Sequence, residues 1–248
     1  MKAIVLVGGE GTRLRPLTYT TPKQMLPVAG VPMLERVVTH LASHGVDKVI
    51  LSMGYKPDAF LAAYGDDQCA GVTVQYVVEA EPLDTGGAIA YAADEAGIDE
   101  RFIVVNGDVL TDIDFSSLVK WHAERDALTT IGLIPVDDPS RFGVVASDVD
   151  GRVTAFIEKP PAGTAPTNLI NAGIYVMESG ALRTIERGRR VSVEREVFPA
   201  MVDHGTLFAR ACDGYWIDTG NPTSYIQANV DIAGNAVVDT SAKVDPSA

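Results

Sequence analysis

The chain of 248 residues carries 33 acidic and 20 basic side chains, and its formal net charge at pH 7 is −13. This acidic balance argues against a nucleic-acid partner, because proteins bind nucleic acid through clustered positive charge. No apolar run approaches the ~20 residues that cross a bilayer, and no charged-then-apolar leader opens the chain, so we expect a cytoplasmic protein without a membrane partner.

The first half of the chain alternates between predicted strands and helices. Apolar runs predict buried strands at 3–7, 49–51, 72–78 and 102–105. Helices are predicted after Pro32, after Asp58 and from Thr85, where Pro32 suits a first turn and the other two residues suit N-caps. This alternation predicts a Rossmann-like, doubly wound and mostly parallel α/β sheet, with ligands at the carboxyl ends of its strands.

After residue 128 the pattern changes to consecutive strands. They are predicted at 129–135, 143–147, 153–158 and 169–177. Helices are expected to begin at Ser179 and Ser192, and Asn221-Pro222 supplies an N-cap and a first-turn proline for a last helix. Because no long linker separates this half from the first, we expect both halves to pack as one domain over residues 1–232.

The end of the chain repeats itself. Residues 236–241 and 242–247 follow a period of six, which resembles the hexapeptide repeat of a left-handed β-helix. Such solenoids need about three or more repeats to bury a core. We interpret residues 233–248 as the start or the remnant of a β-helix, with a disordered acidic tail as the alternative.

A glycine-rich loop follows the first predicted strand. It reads Val7-Gly8-Gly9-Glu10-Gly11-Thr12-Arg13-Leu14-Arg15-Pro16-Leu17-Thr18 and continues to Pro22-Lys23. Glycine lets backbone N–H groups approach a ligand closely, and successive amides in such a turn form a nest for anions. Arg13, Arg15 and Lys23 add positive charge, and guanidinium groups suit phosphate oxygens. The loop therefore predicts a polyphosphate ligand, in particular a nucleoside triphosphate.

The longer pattern GGxGTRLxPLT, followed by Pro-Lys, resembles the signature of the sugar-1-phosphate nucleotidyltransferases, the pyrophosphorylases that make nucleotide sugars. Other segments resemble that family in order along nearly the whole chain: Asn106-Gly107-Asp108, Phe142-Gly143-Val144-Val145, Phe156-Ile157-Glu158-Lys159-Pro160, Ile170-Asn171-Ala172-Gly173, Ser192-Val193-Glu194-Arg195 and Trp216-Ile217-Asp218-Thr219-Gly220. The resemblance implies the nucleotide-diphospho-sugar transferase fold. It also implies that a nucleoside triphosphate and a hexose 1-phosphate give a nucleotide sugar and pyrophosphate.

The resemblance also implies roles for individual residues. Asp108 and Asp218 would hold the catalytic Mg²⁺, an ion that binds through one or two carboxylates together with phosphates and water. Arg13 would stabilise the leaving pyrophosphate and Lys23 the α-phosphate, so these four residues are the candidate catalytic set. Lys159 would align the nucleophile.

Two binding sites follow from the same resemblance. The candidate nucleotide site consists of Gly8, Gly9, Gly11, Thr12, Arg13, Glu79, Thr85, Gly86 and Asp108. The candidate sugar-phosphate site consists of Gly143, Glu158, Lys159, Asn171 and Glu194. Relatives commonly associate as dimers or larger assemblies, so we expect a homo-oligomer.

Three residues bear on which nucleotide is used. Glu79 favours GTP, because a carboxylate only accepts hydrogen bonds and guanine offers two adjacent donors on its pairing edge. Gln24 stands where thymidylyl relatives carry glutamine, and Asp84 replaces the glycine of the family pattern Glu-Pro-Leu-Gly-Thr. The overall resemblance is closest to the GDP-mannose pyrophosphorylases, so we favour GTP and mannose 1-phosphate. Thymidylyl or uridylyl transfer is the alternative, and a catalytically silent, nucleotide-sugar-binding regulatory paralogue is the alternative of another class.

Overall fold

The structure is a computed structural model that describes residues 1–54, 57–65 and 67–234. Its strands are β1 (Lys2–Leu6), β2 (Pro27–Val28), β3 (Val31–Pro32), β4 (Lys48–Met53), β5 (Gln68–Cys69), β6 (Val72–Val78), β7 (Phe102–Asn106), β8 (Val109–Thr111), β9 (Thr129–Pro135), β10 (Gly143–Ser147), β11 (Val153–Glu158), β12 (Leu169–Met177), β13 (Leu207–Ala211) and β14 (Trp216–Asp218). Its α-helices are α1 (Met33–Ser43), α2 (Pro57–Ala63), α3 (Asp84–Glu95), α4 (Phe115–Ala123), α5 (Phe198–Asp203) and α6 (Pro222–Ala233). Short 3₁₀ turns lie at Thr12–Leu14, Lys23–Met25, Pro139–Arg141 and Ser179–Thr184, and a π-helical turn at Val193–Val197 precedes α5.

One large mixed sheet organises the fold. Its strand order is β11-β10-β12-β7-β1-β4-β6-β5, and β9 joins it by pairing with β12 and β13. The central strands β7, β1, β4 and β6 run parallel, as the apolar runs of the first half predict. The strands of the second half flank them, and β12 runs antiparallel to β7, β9 and β10. The predicted mostly parallel sheet is therefore confirmed at its centre, whereas β12 introduces antiparallel pairing beyond β7, and β13 runs parallel to β9.

Helices cover both faces of this sheet. Along β1, Ala3 and Val5 face a core that also holds apolar residues of α1, α4 and α6, whereas Ile4 faces a core shared with α3 and α5. This alternation follows from the two-residue period of a strand. Each fully buried aliphatic side chain stabilises the fold by about 1.5–3 kcal/mol relative to exposure, so both faces contribute to stability. The doubly wound arrangement is confirmed.

Several helix starts differ from the predictions by one or two residues. Thr85 lies in the first turn of α3 rather than at its N-cap, and Asp58 lies in the first turn of α2 rather than at its N-cap. Pro32 ends β3 and precedes α1 instead of entering its first turn. The N-cap at Asn221 is confirmed, since the Ser224 N–H donates to Asn221 Oδ1 at 3.1 Å. The predicted N-cap is thus correct at Asn221, where the side chain accepts a capping hydrogen bond, and wrong at Thr85 and Asp58.

The last described helix, α6, bears on the predicted domain boundary. α6 continues through Ala233, so the predicted boundary after residue 232 falls within its last turn. The proposed hexapeptide repeat lies outside the described residues, because these end at Gly234. Among the helices of residues 1–54, 57–65 and 67–234, none is both long and apolar enough to span a membrane.

Candidate active site

The glycine loop and Asp108 meet where two neighbouring parallel strands end. The loop follows β1 and Asp108 follows β7, and the Gly107 N–H donates to the Leu6 carbonyl at 2.9 Å. A Cβ at Gly107 would lie 2.8 Å from Val7 Cγ1 and 2.9 Å from that carbonyl oxygen, so a side chain does not fit there. The glycine of the Asn-Gly-Asp segment thus allows Asp108 to approach the phosphate-binding loop.

A two-stranded ribbon brings Asp218 to the same place. β14 pairs antiparallel with β8, with Asp218 opposite Val109. The Thr219 N–H and the Thr219 hydroxyl both donate to the Asp108 carbonyl, at 3.0 and 2.8 Å. The backbone that carries one carboxylate is therefore bonded to the backbone that carries the other.

Two cations complete this cluster. Lys23 Nζ forms an ion pair with Asp108 Oδ2, and both side chains are largely buried. A Cβ at Gly220 would lie 2.6 Å from Arg13 Nη2 and 2.8 Å from Asp218 Oδ1, which places the Arg13 guanidinium and the Asp218 carboxylate around the same glycine. The four candidate catalytic residues are brought together.

The ionised form of Asp218 is disfavoured by its surroundings. Burial raises the pKa of the Asp218 carboxyl, and the negative charge of Asp108 raises it further. The Gly220 N–H bond and the charges of Lys23 and Arg13 act in the opposite direction. Two carboxylates that repel one another in a partly buried place fit a divalent cation, which would remove this repulsion.

These two carboxylates would not enclose a metal by themselves. Within the described part of the chain, no group of three or more His, Cys, Asp or Glu side chains is placed to hold a metal ion. Mg²⁺ commonly binds through one or two carboxylates plus substrate phosphates and water, so Asp108 and Asp218 fit that mode.

The glycine loop is open to the cleft. Gly8, Gly9 and Thr12 are exposed, as is Arg13. Gly11 has a φ of 63° and precedes the 3₁₀ turn, where its carbonyl accepts a 2.7 Å hydrogen bond from the Thr18 hydroxyl. The candidate phosphate-binding residues of this loop are therefore accessible to a ligand.

Glu79 is placed at a strand end but is already engaged. It follows β6, and its carboxylate accepts hydrogen bonds from the Ser52 hydroxyl at 3.2 Å and from the Leu83 N–H at 2.9 Å. These bonds close the loop that leads into α3. A base that binds Glu79 would have to share or replace them.

Asp84 explains why the family pattern has glycine at this point. Its φ is 61°, in the left-handed region that favours glycine, and its Oδ1 accepts from the Thr85 N–H at 2.8 Å. Aspartate tolerates this region better than most residues because its short side chain can bond the local backbone. Asp84 thus adopts a backbone conformation that glycine favours, and its side chain bonds the next backbone N–H.

Thr85 and Gly86, predicted on the nucleotide side, face the segment that carries Glu194. The Gly86 N–H donates to the Val191 carbonyl at 2.8 Å, and the Thr85 hydroxyl donates to Glu194 Oε2 at 2.7 Å. The two candidate binding sites are therefore in direct contact.

The remaining sugar-side residues lie on the antiparallel strands. Gly143 pairs with Glu158 between β10 and β11, and Glu158 Oε1 lies 3.2 Å from Lys159 Nζ. A Cβ at Gly143 would lie 3.0 Å from Glu158 Oε2, so glycine leaves room for that carboxylate. Lys159 is 60% exposed at its side chain, which leaves its ammonium group available to a phosphate.

Asn171 leads to a residue that sequence reasoning missed. Asn171 Nδ2 donates to the Tyr175 hydroxyl at 3.0 Å, and Tyr175 is buried. Burial raises the pKa of Tyr175, and the nearby charges of Glu194 and Glu158 raise it further. Tyr175 therefore lies among three of the predicted sugar-side residues, although its position within an apolar strand carries no motif that indicates this.

Two cavities adjoin these elements. One of about 560 Å³ is lined by Arg13 and Asp218 and also by Arg141, Phe142 and Trp216. The sequence analysis did not predict Arg141 as a site residue. Its position directly before the Phe142-Gly143 segment is the sequence feature that could have indicated it. The other cavity, of about 790 Å³, lies between α1, β8 and the end of α6 and is lined by none of the predicted site residues.

Comparison with known proteins decides the family. Residues 2–235 match the nucleotidyl transferase family. The chain belongs to this family. Its members generally depend on a divalent metal.

Individual relatives agree with this assignment. The chain is 44% identical over 232 residues to a mannose-1-phosphate guanylyltransferase of Mycobacterium tuberculosis, covering 93% of this chain and 64% of that protein. It is 38% identical over 266 residues to a probable mannose-1-phosphate guanylyltransferase of Oryza sativa, covering 98% of this chain and 73% of that protein. The crystal structure of HddC from Yersinia pseudotuberculosis, solved also in complex with GMP-PN, superposes with a TM-score of 0.80 at 31% identity and covers 93% of this chain and 99% of that one. The chain thus spans about two thirds of the length of the mycobacterial relative.

Proposed function

We propose that this nucleotidyl transferase joins GTP and mannose 1-phosphate to give GDP-mannose and pyrophosphate. The observation that carries the proposal is the cluster of Arg13, Lys23, Asp108 and Asp218 at the carboxyl ends of β1 and β7. The names of the mycobacterial and rice relatives support the choice of substrates.

The reaction that this cluster supports is a direct displacement at phosphorus. A phosphate oxygen of mannose 1-phosphate forms a bond to the α-phosphorus of GTP, while the bond from that phosphorus to the bridging oxygen breaks and pyrophosphate leaves. The nucleophile is already an anion at neutral pH, so no general base is required. Positioning and neutralisation of charge then supply most of the catalysis.

The basic residues divide between the two ends of the reaction. Arg13, exposed beside Asp218, would stabilise the charge that develops on pyrophosphate. Lys23, which forms an ion pair with Asp108, would contact the α-phosphate. Lys159 extends from the end of β11 and orients the attacking phosphate.

Asp108 and Asp218 would hold a divalent cation, for which we propose Mg²⁺. When bound, the ion supplies positive charge to the phosphate oxygens of the nucleotide. The two carboxylates fit this ion because the ribbon of β8 and β14 brings them together. Their negative charges repel one another, and a bound cation would reduce that repulsion.

The structure weakens the case for thymidine. Gln24, which stands where thymidylyl relatives carry glutamine, is 1% exposed and therefore does not present its amide to an open cleft. HddC was crystallised with a guanine nucleotide analogue, which also favours GTP. Glu79, at the end of β6, remains the candidate that accepts hydrogen bonds from the base.

The experiment that tests the proposal is pyrophosphate release in the presence of Mg²⁺. GTP, dTTP, UTP, ATP and CTP are each combined with mannose, glucose and N-acetylglucosamine 1-phosphates. We expect GTP with mannose 1-phosphate to exceed every other pair. A preference for dTTP or UTP would contradict the assignment of GTP as the substrate. If the folded protein releases no pyrophosphate with any pair and still binds GDP-mannose, a regulatory paralogue is indicated.

The assembly state is proposed on the same basis. We expect identical subunits to associate, because the relatives that the sequence resembles commonly do. Light scattering after size-exclusion chromatography measures the mass directly, and a mass of one chain at micromolar concentration would contradict the proposal.

A further inference from the structure

The start of α3 is bonded to the segment before α5 by several hydrogen bonds. The Val191 carbonyl accepts from the Gly86 N–H at 2.8 Å and from the Gly87 N–H at 3.1 Å, and the Val191 N–H donates to the Leu83 carbonyl at 2.9 Å. A Cβ at Gly86 would lie 3.0 Å from the Val191 oxygen, so the glycine permits this approach. These contacts fix one backbone against the other at the place where the two candidate binding sites meet.

The Thr85 hydroxyl is fully used within this contact. It accepts a hydrogen bond from the Val193 N–H at 2.9 Å and donates to Glu194 Oε2 at 2.7 Å. The Thr85 N–H is held as well, by Asp84 Oδ1 at 2.8 Å. A threonine hydroxyl has a single proton, so this one has none left to donate to a nucleotide.

Ser192 supplies a second donor to the same carboxylate oxygen. Its hydroxyl donates to Glu194 Oε2 at 2.9 Å, and Ser192 itself is buried. Within the residues that the structure describes, Glu194 Oε1 receives no hydrogen bond. Two donors on one oxygen fix the orientation of the carboxylate and leave the other oxygen to accept from a ligand.

We propose that Thr85 and Ser192 are positioning residues that hold Glu194 Oε2, so that Glu194 Oε1 accepts a hydroxyl group of the sugar phosphate. The inference rests on the proposed function, since it assigns Glu194 to the sugar. It moves Thr85 from the nucleotide site, where the family resemblance placed it, to the sugar site. The helix on the nucleotide side thereby determines the geometry of the sugar side.

The neighbourhood of Glu194 suits a hydroxyl ligand. The buried Tyr175 hydroxyl accepts from Asn171 at 3.0 Å, and within the described residues its own proton meets no acceptor. Glu158 is the last residue of β11 and Lys159 follows it, and Glu158 and Glu194 both lie near Tyr175. Carboxylate, amide and phenol groups together are the donors and acceptors with which a protein discriminates sugar hydroxyls.

The test separates the two substrates kinetically. In Thr85→Val, which removes the hydroxyl and retains the shape, we expect the KM for mannose 1-phosphate to rise on the order of ten-fold, because hydrogen bonds to charged groups contribute that much. The KM for GTP is expected to stay within about two-fold of the wild-type value. Ser192→Ala should also raise the KM for mannose 1-phosphate. Thr85→Ser should keep this KM near the wild-type value, because the hydroxyl is retained.

A matched control removes a different buried threonine hydroxyl. Thr130 is fully buried and its hydroxyl bonds His122 Nδ1 at 2.7 Å rather than a candidate site residue. Thr130→Val is expected to lower stability and to leave both KM values unchanged. The comparison separates a loss of positioning from a general loss of folding.

Three results would overturn the inference. The first is a rise in the KM for GTP alone in Thr85→Val. The second is a failure of Thr85→Ser to restore the KM for mannose 1-phosphate, and the third is an unchanged KM for that substrate in both Thr85→Val and Ser192→Ala.

Calorimetric binding distinguishes this failure from failure of the proposed function. If the wild-type protein turns over no substrate pair, the transferase proposal is contradicted, and the dissociation constants of mannose 1-phosphate and GTP are compared in the same variants. Weaker binding of mannose 1-phosphate alone in Thr85→Val then still supports the positioning role. A wild-type protein that binds no hexose 1-phosphate contradicts both.

Discussion

Single side chains decide how charge is distributed in the cleft. Asp108 pairs with Lys23, whereas Asp218 is bonded by the Gly220 N–H and lies beside Arg13. Each carboxylate therefore has a cation beside it, and the two carboxylates still repel one another, which a divalent cation bound between substrate phosphates and these oxygens would reduce. Chemistry in this cleft should depend on the charge of each residue more than on its volume.

Replacing Asp108 by asparagine tests this directly. Asp108→Asn keeps the size of the side chain and removes its charge, so we expect turnover to fall at least about 100-fold, as when one preorganised electrostatic group is lost. The thermal midpoint should change little, because the lost ion pair with Lys23 is offset by the relief of the repulsion between residue 108 and Asp218. Asp150→Asn, at an exposed position away from the cleft, is the matched control. Near wild-type turnover in Asp108→Asn would remove this residue from the catalytic set.

Asp84 gives a prediction about stability. Because its φ is 61°, alanine at this position keeps the strained backbone and loses the bond to the Thr85 N–H. We expect Asp84→Ala to be less stable than Asp84→Gly by about 1 kcal/mol, the ordinary cost of the left-handed region for a residue with a Cβ. Urea unfolding of the two variants measures the difference, and equal midpoints with equal slopes would refute it.

At the scale of packed elements, the contact between α4 and the sheet contains a histidine, His122, that titrates outside the candidate active site. His122 in α4 bonds Thr130 of β9 through Nδ1, and its Nε2 lies 3.2 Å from Glu178 Oε1, which Arg101 also contacts. Burial lowers the pKa of His122, and the bond to Glu178 opposes this shift. The contact between α4 and the sheet is thus formed with a neutral imidazole.

The sign of the pH effect follows from linkage. The unfolded chain takes up a proton at His122 near the ordinary histidine pKa of 6.5, and the folded chain does so only at lower pH. The stabilisation is therefore complete above pH 6.5 and is lost as the pH falls through the lower pKa of the folded state. We expect the free energy of unfolding to decrease from about pH 7.5 to about pH 5.5, and the decrease to be smaller in His122→Asn. His204→Asn, at an exposed position, should retain the full decrease; an equal decrease in all three proteins would contradict this origin.

At the scale of the whole molecule, the candidate nucleotide-side and sugar-side residues lie on different halves of one sheet. The parallel strands β1 and β7 present the glycine loop and Asp108, and the antiparallel strands β10, β11 and β12 present the sugar-side residues. Because β12 runs antiparallel to β7, its beginning lies at the carboxyl end of β7. Asn171 is thereby carried to the same edge as Asp108, and a reaction between two phosphates can be placed where the halves meet.

Removing the metal is expected to abolish activity and to leave the folding of the whole molecule intact. The candidate metal site uses two carboxylates at the cleft, and within the described residues no larger ligand cluster supports the core. We expect EDTA to abolish pyrophosphate release and added Mg²⁺ to restore it. The thermal midpoint of the protein without substrates should change by no more than about 2 °C, since such a metal contributes through the substrates rather than through the fold. A large fall in that midpoint would indicate a structural metal instead.

Local patterns were sufficient to predict most of the elements and the candidate residues. The apolar runs at 72–78 and 169–177 match β6 and β12, and the capping pair at Asn221-Pro222 marks the start of α6. The strands and the helix start are encoded by neighbouring residues, through side-chain periodicity and backbone preference, so local sequence predicts them. The pairing of Asp108 with Asp218 was implied by the family resemblance of their segments, and the structure brings the two together.

The direction of strand pairing and the orientation of side chains depend on residues far apart in the chain, so only the tertiary structure decided them. The antiparallel insertion of β12 beside β7 has no local signal, because an apolar strand pairs in either direction. The burial of Gln24 and the bond between Thr85 and Glu194 likewise arise from packing between distant segments. The sequence by itself thus determined which chemical groups and elements the protein has, and the packing of the sheet determined which of those groups face one another.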